Sequence, residues 1–377
     1  MKATVGDATM TTMDYRATNP LSGEELVIRE VINETVDTTR HIVLRSVQTL
    51  SEPIVQDIHD ETDIVRQSIS NHLAALSDRG FVNRHDEGIE MTGGGILFLD
   101  IIDSCLTTIP RQELAYCTRS DHPVPVLAAV SSKQVHVTEL RTELEDPPSD
   151  STLRRVLQHF AENGWVEKIS GEYQITATGE QVLAAYDELA ASLTQLIEKA
   201  PWFQRLPPED ATVPIQALTD ANLVVSNPSS PSSVLATALS LYDRNIDRFR
   251  GLCSIYNSVL FKTYSTMHKL NIGPEFEAIL DRPTFMKAVE STDSRYVVDE
   301  SDDPNYDPLV LDRSHTLGIG IYDSRKVAIG AYNKSGKGQH IAMIVSTNEQ
   351  VVDWATDLYE SYRAEAKRPS EIEPILP

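Results

Sequence analysis

Residues 66–82 read RQSISNHLAALSDRGFV. Val65, Ile69, Leu73 and Leu76 recur at steps of four, four and three, which is the buried stripe of an amphipathic helix. Thr62 and Asp63 just upstream are good caps for its start. Gly80 supplies the left-handed residue that ends it. Beyond it, Phe81-Val82-Asn83-Arg84, a turn at Asp86-Glu87-Gly88, and Ile89-Glu90-Met91 read as a β-hairpin. Upstream, Arg40 to Leu50 is expected to be helical, with Val43, Leu44 and Val47 on one face. Pro53 opens a short second helix whose apolar side is Ile54, Val55 and Ile58.

The same pattern returns 84 positions later. Residues 150–166 read DSTLRRVLQHFAENGWV, and Ile69, Leu73 and Leu76 fall on Leu153, Leu157 and Phe160. Gly80-Phe81-Val82 falls on Gly164-Trp165-Val166, Met91-Thr92 on Ile175-Thr176, and Gly95 on Gly179. Ile54 and Ile58 meet Leu140 and Leu144 once the extra Pro147-Pro148 is allowed for. A core pattern with its turn glycine in register marks an internal repeat. In the second copy Val124 to Val130 and Val137 to Leu144 are the first two helices. Ser149 or Asp150 caps the third, where Leu153, Val156, Leu157 and Phe160 face inward. Trp165 to Lys168 and Tyr173 to Ile175 form its hairpin around Ser170-Gly171. Three helices followed by a hairpin, twice, is the order of a tandem winged helix-turn-helix.

The outward face of each third helix carries the chemistry. The first shows Arg66, Gln67, Ser68, Ser70 and Asn71; the second shows Ser151, Thr152, Arg154, Arg155, Gln158 and His159. Arginine forks onto guanine, and Gln or Asn onto adenine, along the major-groove edge. Hydroxyls suit phosphates. Arg84 and His85 on the first wing and Lys168 on the second can reach the DNA backbone. Double-stranded DNA is therefore the expected partner. The competing use is assembly, with the modules as protein-contact surfaces and no DNA target.

Charge tempers this reading. The 377 residues hold 33 Lys+Arg against 56 Asp+Glu, a net of −23. Neither module is basic, so no positive patch announces a nucleic-acid footprint. Only 11 of the basic residues are lysine. Abundant acid with scarce lysine is expected of a protein adapted to molar salt, where acid solvates the surface. In such salt counterion release is weak and base contacts carry more of the affinity. No apolar run approaches the roughly 20 residues of a membrane span, and the N-terminus lacks the pattern of a signal peptide. A cytoplasmic protein is expected. Cys105, Cys117 and Cys253 have no disulfide or metal spacing.

This architecture resembles archaeal, and in particular haloarchaeal, winged-helix transcriptional regulators, most closely over residues 66–82. The resemblance implies a dimer on palindromic DNA. Thr178 to Ala200 is a candidate long helix in which Val182, Tyr186, Leu189, Leu193 and Leu196 form about three heptads of seam. It is either a dimerisation helix or a helix packed on its own chain.

The C-terminal part is expected to be an α/β domain with a mixed sheet of six or seven strands. Val213 to Val225 reads as β-rich, and Val234 to Asp247 as helix. Tyr296 to Asp299 reads as a strand, Leu317 to Tyr322 and Lys326 to Tyr332 as a hairpin, and Glu349 to Glu365 as a closing helix. The stretch Gly330 to Gly338 misses the phosphate-loop spacing and is expected to be an ordinary loop. Its order of elements resembles the effector domain of the methanogen filamentation-regulator family and the phospholipase-D-like sensor fold of the TrmB regulators. The phospholipase His-x-Lys-x4-Asp signature is absent: Leu317 and Tyr322 stand where Lys and Asp are required after His315. A sensor without catalysis or cofactor is implied, with Tyr256, Asn257, Asp281, Arg282, Asp312, Arg313 and His315 as polar liners.

The expected fold class is α+β. Residues 1–30 are a partly disordered N-terminal segment, 31–108 and 109–177 the two winged helices, 178–204 the connector, and 205–377 the effector or partner-binding domain. The expected function is a DNA-binding transcriptional regulator. The alternatives are an assembly scaffold and an enzyme tethered to DNA.

Overall fold

The computed structural model describes residues 15–372 apart from 37, 228, 243–245, 270–273, 292–305 and 333–340. The chain divides into two compact units. The first comprises Met1–Arg79, Arg84–Glu90 and Phe98–Glu198, and the second Gly80–Asn83, Met91–Leu97 and Lys199–Pro377.

The first unit opens with a small hairpin, β1 (Arg16–Thr18) and β2 (Glu25–Val27), followed by helix α1 (Ile28–Val36). The part of the N-terminal segment from Tyr15 onward is therefore folded; residues 1–14 lie outside the described residues. The local cause is Asn19. Its side-chain oxygen accepts from the Leu21 N–H, its amide donates to the Asp78 carbonyl (2.9 Å), and Gly23 takes a positive φ to close the turn.

The repeat then runs through α2 (Thr39–Leu50), α3 (Val55–Thr62), α4 (Arg66–Asp78), β3 (Val82–Arg84), β4 (Ile89–Met91) and α5 (Gly93–Leu106). The second copy is α6 (Arg111–Thr118), α7 (Pro123–Ser132), α8 (Val137–Glu143), α9 (Asp150–Glu162), β5 (Val166–Ile169), β6 (Glu172–Ile175) and α10 (Ala177–Glu198). Shifted by 84 residues, α4 coincides with α9 end for end. The correspondence extends one helix further upstream than the sequence pattern did, with α1 falling on α6; downstream, α5 falls on the first part of α10.

One clamp explains the shared Thr-x-x-Gly. Thr92 Oγ1 donates to the Gly80 carbonyl (2.7 Å) and accepts from the Gly95 N–H (3.0 Å). Thr176 does the same with Gly164 (2.6 Å) and Gly179 (3.1 Å). A Cβ on Gly95 would run into the Phe81 carbonyl, and one on Gly179 into the Trp165 carbonyl. The hydroxyl thus ties the turn ending the third helix to the start of the helix after the hairpin, and glycine lets the backbones meet.

Two expectations need correction here. Thr62 and Asp63 do not cap α4: Thr62 closes α3, and Asp63 is its left-handed C-cap at φ 57°. The N-cap of α4 is Val65, with no side-chain cap. Lying before the first helical turn, Val65 leaves the buried stripe and is 69% exposed, while Ile69, Leu73 and Leu76 are buried as expected. Likewise Ile54 is exposed and Ile58 alone of its trio is buried.

The second correction is α10. Val182, Tyr186, Leu189, Leu193 and Leu196 are all buried within the chain. The helix packs against β1, β6, α1 and α7, and its exposed side shows Glu180, Gln181, Ala184 and Glu188. The heptad seam is filled by the chain's own elements, so it is no free dimer surface.

The second unit holds a seven-stranded mixed sheet. Its strands are β7 (Asn222–Val225), β8 (Arg248–Cys253), β9 (Glu275–Asp281), β10 (Tyr306–Leu311), β11 (Leu317–Tyr322), β12 (Lys326–Tyr332) and β13 (Ile341–Ser346). They lie in the order β10-β9-β8-β11-β12-β13-β7. β8, β9 and β10 are parallel; the rest join antiparallel. Helices α11 (Ala200–Phe203), α12 (Ser233–Ser240), α13 (Ser258–Lys269), α14 (Arg282–Glu290) and α15 (Glu349–Glu365) accompany it. An aromatic cluster of Phe249, Phe261, Tyr264, Phe276 and Tyr322 fills one core. Trp202 of α11 is fully buried and donates to the Ile329 carbonyl of β12 (2.9 Å).

Of the region expected to be β-rich from Val213, Ile215–Leu218 is a 3₁₀ turn and only Asn222–Val225 is strand, because Pro214 precedes the turn and donates no ladder hydrogen bond. The α12 helix stops at Ser240, short of Asp247. The expected strand at Tyr296 to Asp299 and most of the Gly330 to Gly338 loop lie outside the described residues. The fold is α+β, and among the described residues no single helix is long and apolar enough to cross a membrane.

Candidate nucleic-acid interface

The two third helices differ in how much of their polar face is free. On α4, Gln67 donates to Asn71 (3.1 Å) one turn on, so both amides sit together on the exposed side. Ser68 shares a hydrogen bond with His72 (3.2 Å), which also meets Thr39 (2.7 Å). Ser70 is half-buried, and Arg66 and Asn71 are exposed. At the β3–β4 hairpin, Arg84 is exposed and His85 lies 3.5 Å from Glu90.

On α9, Ser149 caps the helix by accepting from the Thr152 N–H (3.3 Å), and its hydroxyl also meets those of Ser151 and Thr152. Gln158 donates to Glu162 (2.9 Å). His159, expected to face DNA, is instead held by Glu113 of α6 (2.6 Å) and stacked on Tyr116 (3.6 Å between centroids). Its ring is thus engaged by α6. Lys168 lies over the Tyr173 ring (5.2 Å).

Arginine partnering separates the face from the rest of the first unit. Arg16, Arg29, Arg40, Arg45, Arg79 and Arg141 each hold a carboxylate. Arg111 donates to the Val36 carbonyl, and Arg119 lies over Tyr116. Among the described residues of this unit, the arginines with no hydrogen bond or ion pair are Arg66, Arg84, Arg154 and Arg155. All four sit on α4, α9 or strand β3. With acid outnumbering base 56 to 33, leaving these four unneutralised is a local bias that net charge hides.

In the second unit the expected liners divide. Asn257 caps α13 by accepting from Val259 and Leu260 (3.0 and 3.1 Å), and Tyr256 packs on Phe261. Both serve local structure. Asp281 caps α14 through the Thr284 N–H (2.9 Å), and burial raises its pKa. Arg282 pairs with Asp312 (2.8 Å) and Arg313 with Glu365 (2.8 Å), all at the surface.

His315 is different. It is 8% exposed, neither ring nitrogen has a hydrogen-bond partner, and burial with nearby Arg313 brings its pKa down to about 4. It precedes β11 beside the carboxyl ends of the parallel strands, where α/β sheets present ligands. Around it are Tyr362 (5.3 Å between rings) and Tyr332, whose hydroxyl donates to the His315 carbonyl (3.0 Å). Tyr362 in turn donates to buried Asp210 (2.8 Å). Sequence reasoning missed Tyr332, Tyr362 and Asp210, whose contacts join distant stretches. Among the described residues no group of side chains could hold a metal.

Residues 111–195 match the HVO_A0261 N-terminal domain, and residues 231–365 match the middle domain of the methanogenesis regulatory protein FilR1. The first match begins at α6 and ends within α10. Among solved structures, the archaeal chromatin protein TrmBL2 is 14% identical, with 67% of this chain and 94% of that chain covered at a TM-score of 0.31. NucT from Helicobacter pylori is 12% identical, covering 39% and 97% at 0.31. The phospholipase D family member Nuc from Salmonella typhimurium is 12% identical, covering 39% and 97% at 0.29. Scores of this size do not establish a shared fold. No curated protein matches the chain. Over residues 111–195 the chain is similar to the HVO_A0261 N-terminal domain and over residues 231–365 to the middle domain of FilR1, in keeping with the archaeal regulators its sequence resembles.

Proposed function

We propose that this chain is a sequence-specific DNA-binding transcriptional regulator, cytoplasmic and without catalytic activity. In this reading α1 to α5 and α6 to α10 are two winged helix-turn-helix modules whose third helices enter the major groove. The observation that carries it is the placement of the four unpaired arginines on those helices and the first wing. The FilR1-type domain binds an effector or partner, and the side of the sheet near His315 is where a ligand would be met. Such a ligand shifts DNA affinity only through differential affinity for two states. Dimerisation through α10 is not part of the proposal, since its seam is filled; two modules in one chain already supply two DNA contacts.

The test is fluorescence anisotropy on duplex DNA in molar potassium chloride with Arg66→Ala and with Arg154→Ala/Arg155→Ala. A lost bidentate guanine contact is worth about 1–3 kcal/mol, roughly 5- to 150-fold, and lost phosphate contacts also weaken binding, so affinity is expected to fall at least about fivefold in each variant with particle mass unchanged. Unchanged DNA affinity together with a broken oligomer would favour the assembly reading instead.

A further inference from the structure

The two modules are built alike but are not dressed alike at the start of the third helix. Position 65 aligns with position 149. Ser149 caps α9, whereas Val65 sits at the N-cap of α4, caps nothing, and is 69% exposed. Lone exposed apolar side chains are ordinary, but valine is among the poorest residues at an N-cap. Here it forgoes a cap at the one helix end that borders unpaired Arg66 and the Gln67–Asn71 pair. The same end of α9 is polar and already engaged: Asp150 pairs with Arg141 (3.2 Å), and Ser149 bonds Ser151 and Thr152. Further along α9, Gln158 and His159 are held by Glu162 and Glu113.

We propose that the first module reads base sequence while the second chiefly anchors on the backbone, and that Val65 is a specificity-determining residue contacting the 5-methyl group of a thymine. An apolar side chain beside an arginine fork is the chemistry that reads thymine next to guanine in the major groove. The inference rests on the DNA-binding reading above and adds which module discriminates and by what contact.

The test begins by selecting the preferred duplex from a random pool with the full chain in molar potassium chloride. Each thymine in that duplex is then replaced singly by deoxyuridine, which removes one methyl group and nothing else. At one thymine the wild type is expected to lose about fourfold in affinity, the worth of one buried methyl. Val65→Ala, a change at an exposed site that leaves the fold intact, is expected to abolish that difference. Arg66→Ala is expected to erase the consensus, and Arg154→Ala/Arg155→Ala to weaken all sequences alike. A duplex in which no thymine is sensitive, or a sensitivity that persists unchanged in Val65→Ala, overturns the assignment of Val65 while leaving DNA binding standing. Loss of the consensus only in the Arg154/Arg155 variant overturns the division of labour. A pool that yields no consensus sinks both this inference and the reading beneath it.

Discussion

Leu193→Ala on α10 separates a helix packed on its own chain from a dimer seam. Leu193 is fully buried in the chain, in the middle of the apolar face of α10. Removing a buried leucine side chain costs its transfer energy plus the cavity left behind, about 2–5 kcal/mol. Taking about 3 kcal/mol, and about 2–4 °C per kcal/mol for a unit of this size, the melting temperature should fall by roughly 6–12 °C. The assay is thermal unfolding followed by circular dichroism in molar potassium chloride, with light-scattering mass measured alongside at 20-fold different concentrations of roughly 5 and 100 μM, in the range where weak association shows. The expected result is a lowered melting temperature with the same mass as wild type. A halved mass with an unchanged melting temperature would refute the reasoning, because it would mean that the seam faces a second chain.

Three further outcomes follow. Val65→Ser should stabilise the protein by about 1 kcal/mol by restoring an N-cap, measured as a urea midpoint, while losing thymine discrimination. Gly179→Ala should destabilise by about 1–3 kcal/mol, since the added methyl overpacks against the Trp165 carbonyl; a neutral or stabilising result in thermal unfolding would contradict the clamp. His41 and His315 are both held down to about 4 by burial first, with arginines nearby. Unfolded histidine titrates near 6.5, so each contributes stability that is full above that value and lost as pH falls toward 4. His315→Leu should remove about 2 kcal/mol of the stability difference between pH 7 and pH 5, read as urea midpoints at fixed salt.

The helix–hairpin repeat was legible because periodicity and turn glycines are local. Leu73, Leu76 and Gly80 carry their meaning in the sequence around them, and the closing helix Glu349–Glu365 could be bounded from its own pattern. What periodicity does not say is what covers an apolar face. The α10 stripe was read correctly as buried, but its cover is β1, β6, α1 and α7, from stretches as far away as the N-terminal hairpin. Val65 fitted the stripe by spacing and left it because the helix starts one residue later. The partners of His159, Glu113 and Tyr116, lie more than 40 positions upstream and were not legible from its helix alone. The unpaired state of Arg66, Arg84, Arg154 and Arg155 was likewise invisible, since it depends on where every carboxylate ends up. The orphaned ring of His315 belongs to the same class: its isolation is a property of packing.

The most direct test of sequence-specific DNA binding is crosslinking of the tagged full chain to chromatin in its own host, followed by sequencing of the recovered DNA. The account predicts sharp peaks that share one motif and vanish in an Arg66→Ala strain expressing the protein at wild-type level. Diffuse recovery, or peaks indifferent to that substitution, would contradict it.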